Sequence, residues 1–262
     1  MSLNKPMKKS EQLVRLNRFL AQCGVGSRRK CDEYIAAGRV KVNGQVVDQM
    51  GVKVDPDKDR IEFDGEVVKP SHKKVYILMN KPLRTVTTAK DEARRKTVLD
   101  LIQIDERVFP VGRLDYETTG ALLLTNDGDM AYYLAHPKYE ISKIYWVLLD
   151  KRMRPIDLHY FRQGIELDGK KTAPCKAEEF RIIDNCSYLE VELHEGRNRQ
   201  IRRMVEALGY KVRELHRVEF AGLRVDGLKP GQWRLLTPAE IKRLRSVVRR
   251  FKAQEEKEVK KQ

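Results

Sequence analysis

The stretch RLNRFLAQCGVGSRRKCDEYIAAGRVKVNG, residues 15–44, sets the character of the N-terminal part of the chain. Leu13, Leu16 and Leu20 recur at helical spacing with Phe19 beside them, so residues 13–23 are predicted as a helix with one apolar face. Gly24 and Gly26 stop it. Ser27 is a good N-cap, and SRRKCDEYIAAG predicts a second helix that buries Cys31, Tyr34 and Ile35 and ends at Gly38. RVKVNGQVV then alternates, with Asn43-Gly44 at the place of a tight hairpin turn. A further strand is expected from Arg60 to Phe63, turning at Asp64-Gly65. Two short helices followed by small strands, in about 60 residues, make a unit that folds alone only marginally.

Working outward, KPSHKK at 69–74 reads as a linker: polar, basic and proline-containing. Beyond it the pattern changes. VYILMN is an apolar strand followed by Pro82, KTVLDLI is a predicted helix, and ALLLT after Gly120 is a buried strand closed by Asn126-Asp127-Gly128. DMAYYLA reads as a short helix ended by His136-Pro137, and YWVLL and YLEVEL read as strands. RQIRRMVEALG has helical spacing, with Ile201, Met204, Val205 and Leu208 on one side and Gly209 as its stop. Helices and strands mix without strict βαβ alternation, which predicts an α+β fold: a small module of two helices and small strands, then a larger domain with a mixed, largely antiparallel sheet flanked by helices. The expected divisions are a flexible N-terminus at 1–12, the small module at 13–70, the larger domain at 71–250 and a charged tail at 251–262, a frayed helix or an irregular end. No internal repeat survives counting.

The 262 residues carry 53 lysines and arginines against 38 acidic residues, a formal net charge of +15. That excess predicts attraction to polyanions through counterion release, nucleic acid ahead of an anionic membrane. No apolar run is long enough to cross a bilayer, and the basic N-terminus lacks the apolar stretch of a secretory signal. The four cysteines, Cys23, Cys31, Cys175 and Cys186, form no CxxC and do not pair with histidines at ligand spacing. Reduced thiols in a cytoplasmic protein with no metal are the expectation. There is no GxxxxGK[ST] loop and no HExxH, so no nucleotide cofactor is expected.

Cations gather in three places. Arg28, Arg29 and Lys30 follow Ser27 in the first turn of the second helix, where the helix dipole disfavours them. A phosphate held by the backbone N–H groups and these side chains would account for that, with Arg15, Arg18 and Arg39 extending the patch; a solvated basic face is the alternative. PVGRLDYETTGALLLTNDG, residues 110–128, sets Asp115 between a strand-like segment and a polar turn, two residues from Arg113. An aspartate there ordinarily caps a turn. LHEGRNRQIRRM, residues 193–204, brings Arg197, Arg199, Arg202 and Arg203 to a loop-to-helix junction, which suits phosphate or carboxylate recognition or an exposed basic helix start.

The first of these stretches is similar to the S4 domain, an RNA-binding module, over most of residues 14–64, on the GVGSRR turn and the GRVKVNG hairpin. Taken together, MNKP at 79–82, GRLD at 112–115, LLLTNDGD at 122–129, HP at 136–137, KIY at 143–145 and EGRNRQIRRM at 195–204 resemble the RsuA-type ribosomal RNA pseudouridine synthases, over residues 14–245. The resemblance implies conversion of a uridine in ribosomal RNA or a pre-ribosomal particle to its C-glycoside isomer by a monomer without cofactor, the overall pattern leaning to the large-subunit type. It implies Asp115 as catalytic aspartate, Tyr145 as a base-stacking ring and Arg202 as the arginine paired with the aspartate. By the same resemblance Arg113 helps hold the flipped nucleotide, with Lys143, Arg197, Arg199 and Arg203 as further RNA contacts.

The reaction is neither redox nor hydrolytic, consistent with the missing cofactor motifs. The aspartate either attacks the ribose C1′ or removes the 2′ proton, and both routes need the carboxylate ionised, a form that a paired arginine favours. Flipping the uridine costs on the order of a few kcal/mol, and stacking on an aromatic ring offsets about 1–3 kcal/mol. Competing readings are a small-subunit synthase, a non-catalytic S4-bearing ribosome assembly factor, and an N-glycosylase that loses the base to water.

Overall fold

Helix α1 spans Leu16–Gln22 and helix α2 spans Arg28–Ala36. Leu16, Phe19 and Leu20 from α1 meet Cys31 and Ile35 from α2, and Val40, Val54 and Ile61 close the cluster. The computed structural model describes residues 13–70, 73–88, 91 and 93–259; the segment 1–12, expected to be flexible, lies outside them. Chain contacts divide the molecule between Lys74 and Val75. Leu13 departs from the expectation: it is 56% exposed, because Val14–Arg15 pairs as an extended strand with Lys53–Val54 and the helix starts only at Leu16. Tyr34 is half-buried rather than in the core, its ring tilted on Phe63 at 4.9 Å beneath the Arg39 guanidinium. A four-stranded antiparallel sheet completes the unit, and Asn43 (φ 54°) with Gly44 (φ 84°) makes the tight turn that NG demands.

The second unit is built on a nine-stranded sheet. Its main strands are β1 (Tyr76–Lys81), β2 (Thr119–Thr125), β3 (Lys143–Leu149), β4 (Lys176–Ile183), β5 (Cys186–Leu193), β6 (Val212–Phe220) and β7 (Trp233–Leu235). They lie in the order β4-β5-β3-β6-β2-β1-β7, antiparallel except between β6 and β2. The apolar run at 75–80 is buried on both faces. Tyr76 and Leu78 face α3 (Gly128–Ala135) and α6 (Pro238–Val259), whereas Ile77 and Met79 face Val98, Val108 and Leu114. Under β3 and β5, Val147, Leu149, Leu189 and Val191 pack on Phe161 of α4 (Pro155–Gln163) and on Ile201, Met204 and Val205 of α5 (Gln200–Ala207).

One expectation needs correction. KTVLDLI forms only a single 3-10 turn, Leu99–Leu101. Thr97 and Asp100 bond each other's backbone N–H groups at 3.3 and 2.7 Å, and Ile102 is extended, so the turn closes on itself. Of the two forms expected for the charged segment from residue 251, the structure has the helix, which runs through Val259. Phe251 stacks on Tyr139 at 4.7 Å, Tyr133 donates to Glu255 at 2.8 Å and Lys138 donates to Glu258 at 2.9 Å, which pins those turns to the domain. No helix among the described residues is long and apolar enough to cross a membrane.

Candidate active site

The loop carrying Asp115 runs from the end of the short strand Phe109–Pro110 to the start of β2, and its carbonyl groups are gripped one by one. Thr87 Oγ1 donates to the carbonyl of Leu114 at 2.7 Å and accepts its N–H at 3.3 Å. Thr118 N–H closes a turn on the Asp115 carbonyl at 3.0 Å, and Arg84 N–H bonds the Tyr116 carbonyl at 3.0 Å. Arg202 Nη2 donates to the Glu117 carbonyl at 3.0 Å, and Lys81 Nζ donates to that of Thr118 at 2.8 Å. A loop held at consecutive residues presents its carboxylate in one place, because each bond would have to break for the chain to drift.

The strands below it align one row of side chains. Lys81 on β1 pairs with Gly120 on β2, Gly120 with Arg217 on β6, and Arg217 with Tyr145 on β3. Gly120 is obligatory here. Its φ is 109°, and a Cβ at this position would sit 2.2 Å from the Arg217 carbonyl oxygen. Arg217 is 3% exposed; its side chain donates from Nε to the Ala121 carbonyl at 2.7 Å and lies over the Phe220 ring at 4.8 Å.

A cavity of about 240 Å³ opens above this row. It brings together Asp115, Arg113, Lys143, Tyr145, Arg197 and Arg199. With Arg217 and Glu195 the wall holds five cationic side chains and two carboxylates, so a polyanion is favoured at its mouth. Tyr145 is half-buried and packs against apolar clusters on both sides. Burial pushes the Lys143 ammonium down to about 8; Arg217 pushes it lower and Glu195 holds it up. Burial likewise pushes Lys81 down to about 8, with Asp115 opposing the shift and Arg217 adding to it.

The basic motif at 195–204 divides its labour. Arg197 donates to the carbonyls of Lys170 and Lys171 at 2.9 and 2.6 Å and so ties the loop to a hairpin, and Arg199, at the left-handed φ of 48°, meets Glu117 at 3.4 Å. Arg203 turns away from the cavity to pair with Asp168 at 2.6 Å. The expected pair between Arg202 and Asp115 is corrected: Arg202 is buried and donates to main-chain oxygens of Glu117 and Val212, with no ion pair to the carboxylate. Burial lowers its basicity, helped by Arg199, while Glu117 and Asp115 act the other way. In the N-terminal unit, Ser27 caps α2 by accepting Lys30 N–H at 3.1 Å. Arg15, Arg28 and Arg29 are exposed and Arg18 is half-buried, while Lys30 pairs with Glu33 at 2.6 Å and Arg39 grips Asp64.

A GRLD loop with its aspartate over a cationic cavity, on a mixed sheet that follows a separate small module, matches known proteins in both parts. The family profile described as RNA pseudouridylate synthase matches residues 75–207, and that of the S4 domain matches residues 14–61. The chain belongs to the RNA pseudouridylate synthase family. It is 47% identical to ribosomal large subunit pseudouridine synthase B of Bacillus subtilis, over 90% of this chain and 97% of that one. It is 43% identical to an uncharacterized RNA pseudouridine synthase of Aquifex aeolicus, over 88% and 93% of the two chains. A crystal structure of a pseudouridylate synthase superposes with a TM-score of 0.64 at 31% identity, covering 88% of this chain and 99% of the other.

Sequence reasoning missed two residues of this synthase's cavity region. Lys81 stands inside the quoted MNKP, where a lysine ending an apolar strand is a signal in itself. Arg217 stands in LHRVEF two residues after Leu215, on the parity that burial assigns to apolar side chains. A cation at a core position of a strand is the sign that could have found it.

Proposed function

We propose that this enzyme isomerises a uridine of ribosomal RNA to pseudouridine, with the large-subunit RNA as substrate, and that Asp115 carries the reaction. The observation that carries the reading is the common cavity of Asp115, Tyr145 and Lys143, with the Asp115 loop held at consecutive carbonyls. The printed name of the Bacillus subtilis relative favours the large subunit.

In this reading the uridine flips out of its stack and Tyr145 covers the ring, offsetting about 1–3 kcal/mol of the unstacking. Asp115 acts as a carboxylate, at C1′ or on the 2′ proton. The N1–C1′ bond breaks with its electron pair on the uracil. The base turns, C5 bonds to C1′ as the carboxylate leaves that carbon or, on the other route, gives the 2′ proton back to C2′, the C5 proton passes to water and N1 takes up a proton, so that substrate and product are isomers. Arg113 and Lys143 hold the phosphates beside the flipped nucleotide, and the exposed arginines of α2 supply affinity for RNA. The enzyme acts as a monomer in the cytoplasm, in keeping with four free thiols, of which burial holds Cys23 up at about 12 and Cys175 at about 11.

The test is tritium release from ribosomal RNA labelled at C5 of uridine. Forming the C5–C1′ bond expels the label, whereas binding or hydrolysis does not. Wild type releases tritium and leaves no free uracil; Asp115→Ala releases none yet keeps RNA affinity nearly intact. Substantial release by Asp115→Ala would refute the assignment, and free uracil would make the protein an N-glycosylase.

A further inference from the structure

Strands β4, β5, β3 and β6 have a second face, opposite the one that packs on α4 and α5. Side chains alternate along a strand, so Val147 and Val191 point to the helices while Trp146 and Glu190 point away from them. The register sets one row across this outer face. Glu178 of β4 lies opposite Glu190 of β5, Glu190 opposite Trp146 of β3, and Trp146 opposite His216 of β6. Phe180 lies beside the row, its ring 5.8 Å from that of Trp146 and 6.1 Å from that of Tyr188. Glu214 is the register partner of Leu148 on the same face. None of these residues lines the cavity that holds Asp115.

Two features of this face are unfavourable in an isolated domain. Glu178 and Glu190 are exposed and directly opposite each other, and like charges so placed destabilise a sheet. Among the described residues no cation pairs with Glu178, Glu190 or Glu214, whereas their neighbours Glu192 and Glu219 are met by Lys176 at 3.0 Å and by Arg224 at 3.4 Å. Arg181, opposite Tyr188 on the edge strand, is exposed and pairs with none of the three. His216 supplies no charge at neutral pH, since burial lowers its pKa below the ordinary histidine value. The second feature is apolar: Trp146 is 39% exposed and Phe180 49%, two large rings side by side in water. The indole is also fixed, because its N–H donates to Glu190 at 3.0 Å.

The chain as a whole carries a charge of +15, so carboxylates massed beside exposed rings reverse its general attraction for polyanions. RNA is repelled from this face and a cation is drawn to it. A guanidinium fits better than an ammonium. Its plane stacks on an indole and its N–H fork bonds carboxylates, whereas an ammonium acts as a point charge. We propose that this face docks an arginine-rich segment of a partner protein, with one guanidinium stacked on Trp146 and bonded to Glu178 and Glu190, and with the apolar stems of its neighbours on Phe180 and Tyr188. Tyr145, next to Trp146 in β3, lines the Asp115 cavity, so a partner docked on the outer face leaves that cavity open.

The test uses the full chain and a fluorescein-labelled deca-arginine peptide, titrated by fluorescence anisotropy at physiological salt. Wild type binds it, and binds deca-lysine at least about threefold more weakly. Trp146→Ala and the double variant Glu178→Gln/Glu190→Gln each weaken deca-arginine binding by roughly tenfold or more. Asp105→Asn/Glu256→Gln, which removes the same charge at exposed positions elsewhere, changes it by less than about twofold. Should Trp146→Ala melt below wild type, the glutamine pair decides alone. RNA affinity and tritium release stay at the wild-type level in all of these variants, so the docking face is tested apart from the functional reading, and a wild type that releases no tritium refutes that reading alone. Deca-arginine that binds no better to wild type than to the Trp146 and glutamine variants overturns the proposal. RNA affinity that falls in Trp146→Ala overturns it by making the face an RNA surface. A dimer in sedimentation velocity that Trp146→Ala abolishes overturns it by making the occupant a second copy of this chain.

Discussion

Arg202 Nη2 donates to the carbonyl oxygen of Glu117 at 3.0 Å, two residues beyond Asp115, and not to the Asp115 carboxylate. The arginine therefore acts on the aspartate through the shape of its loop. The long-range field of a buried guanidinium adds to this, but the contact itself is to the main chain.

Arg202→Met should slow single-turnover tritium release by roughly 100-fold, the order expected when a loop misplaces a reacting group by about 1 Å. RNA affinity should stay within about twofold, since Arg202 does not line the cavity. Release at the wild-type rate would show that the Glu117 bond does not hold the loop.

Gly120 lies between Lys81 and Arg217 in the sheet, and a methyl group there would meet the Arg217 carbonyl at 2.2 Å with φ at 109°. Gly120→Ala should destabilise the protein by about 3 kcal/mol or more, measured by urea denaturation, and any folded fraction should turn over slowly because Arg217 is displaced. An unchanged urea midpoint would contradict the close approach of β2 and β6.

Lys143 and Lys81 are both pushed down to about 8 by burial. Each is an ammonium below that pH and loses its charge as the pH rises through it. If the Lys143 charge helps hold RNA, kcat/KM should level off below pH 8 and fall above it. Lys143→Arg, which stays charged, should extend the plateau upward; an alkaline limb that does not move assigns the step to Lys81 or to neither. For stability the sign is opposite. Between about pH 8 and the ordinary lysine value of 10.5 the unfolded chain binds more protons than the folded one, so these two groups make stability rise with pH in that window.

In the S4 unit Arg28 and Arg29 are exposed in the first turn of α2, whereas Lys30 is held by Glu33 and Arg39 by Asp64. The double variant Arg28→Ala/Arg29→Ala should weaken RNA binding and lower the slope of log affinity against log salt by roughly 1.4–1.8, two phosphate contacts' worth. An unchanged slope would place the RNA elsewhere on the module.

Local pattern alone determined a good part of this protein. The α1 face, the Ser27 cap, the Asn43-Gly44 turn and the apolar strand at 75–80 were readable because each depends on residues a few positions apart, whose spacing already states which side is buried. GRLD and the 195–204 arginines were readable as motifs, and Asp115, Lys143 and Tyr145 do share one cavity. The partners of those arginines were not readable. That Arg202 meets Glu117, that Arg203 meets Asp168, and that Arg217 lies between Gly120 and Tyr145 are facts of strand order and register. The extension of α6 past Phe251 likewise depends on Tyr133, Tyr139 and Lys138, more than a hundred residues earlier in the chain. Charge and hydropathy along a sequence say what a side chain prefers; only the folded sheet decides which distant carbonyl or ring it reaches.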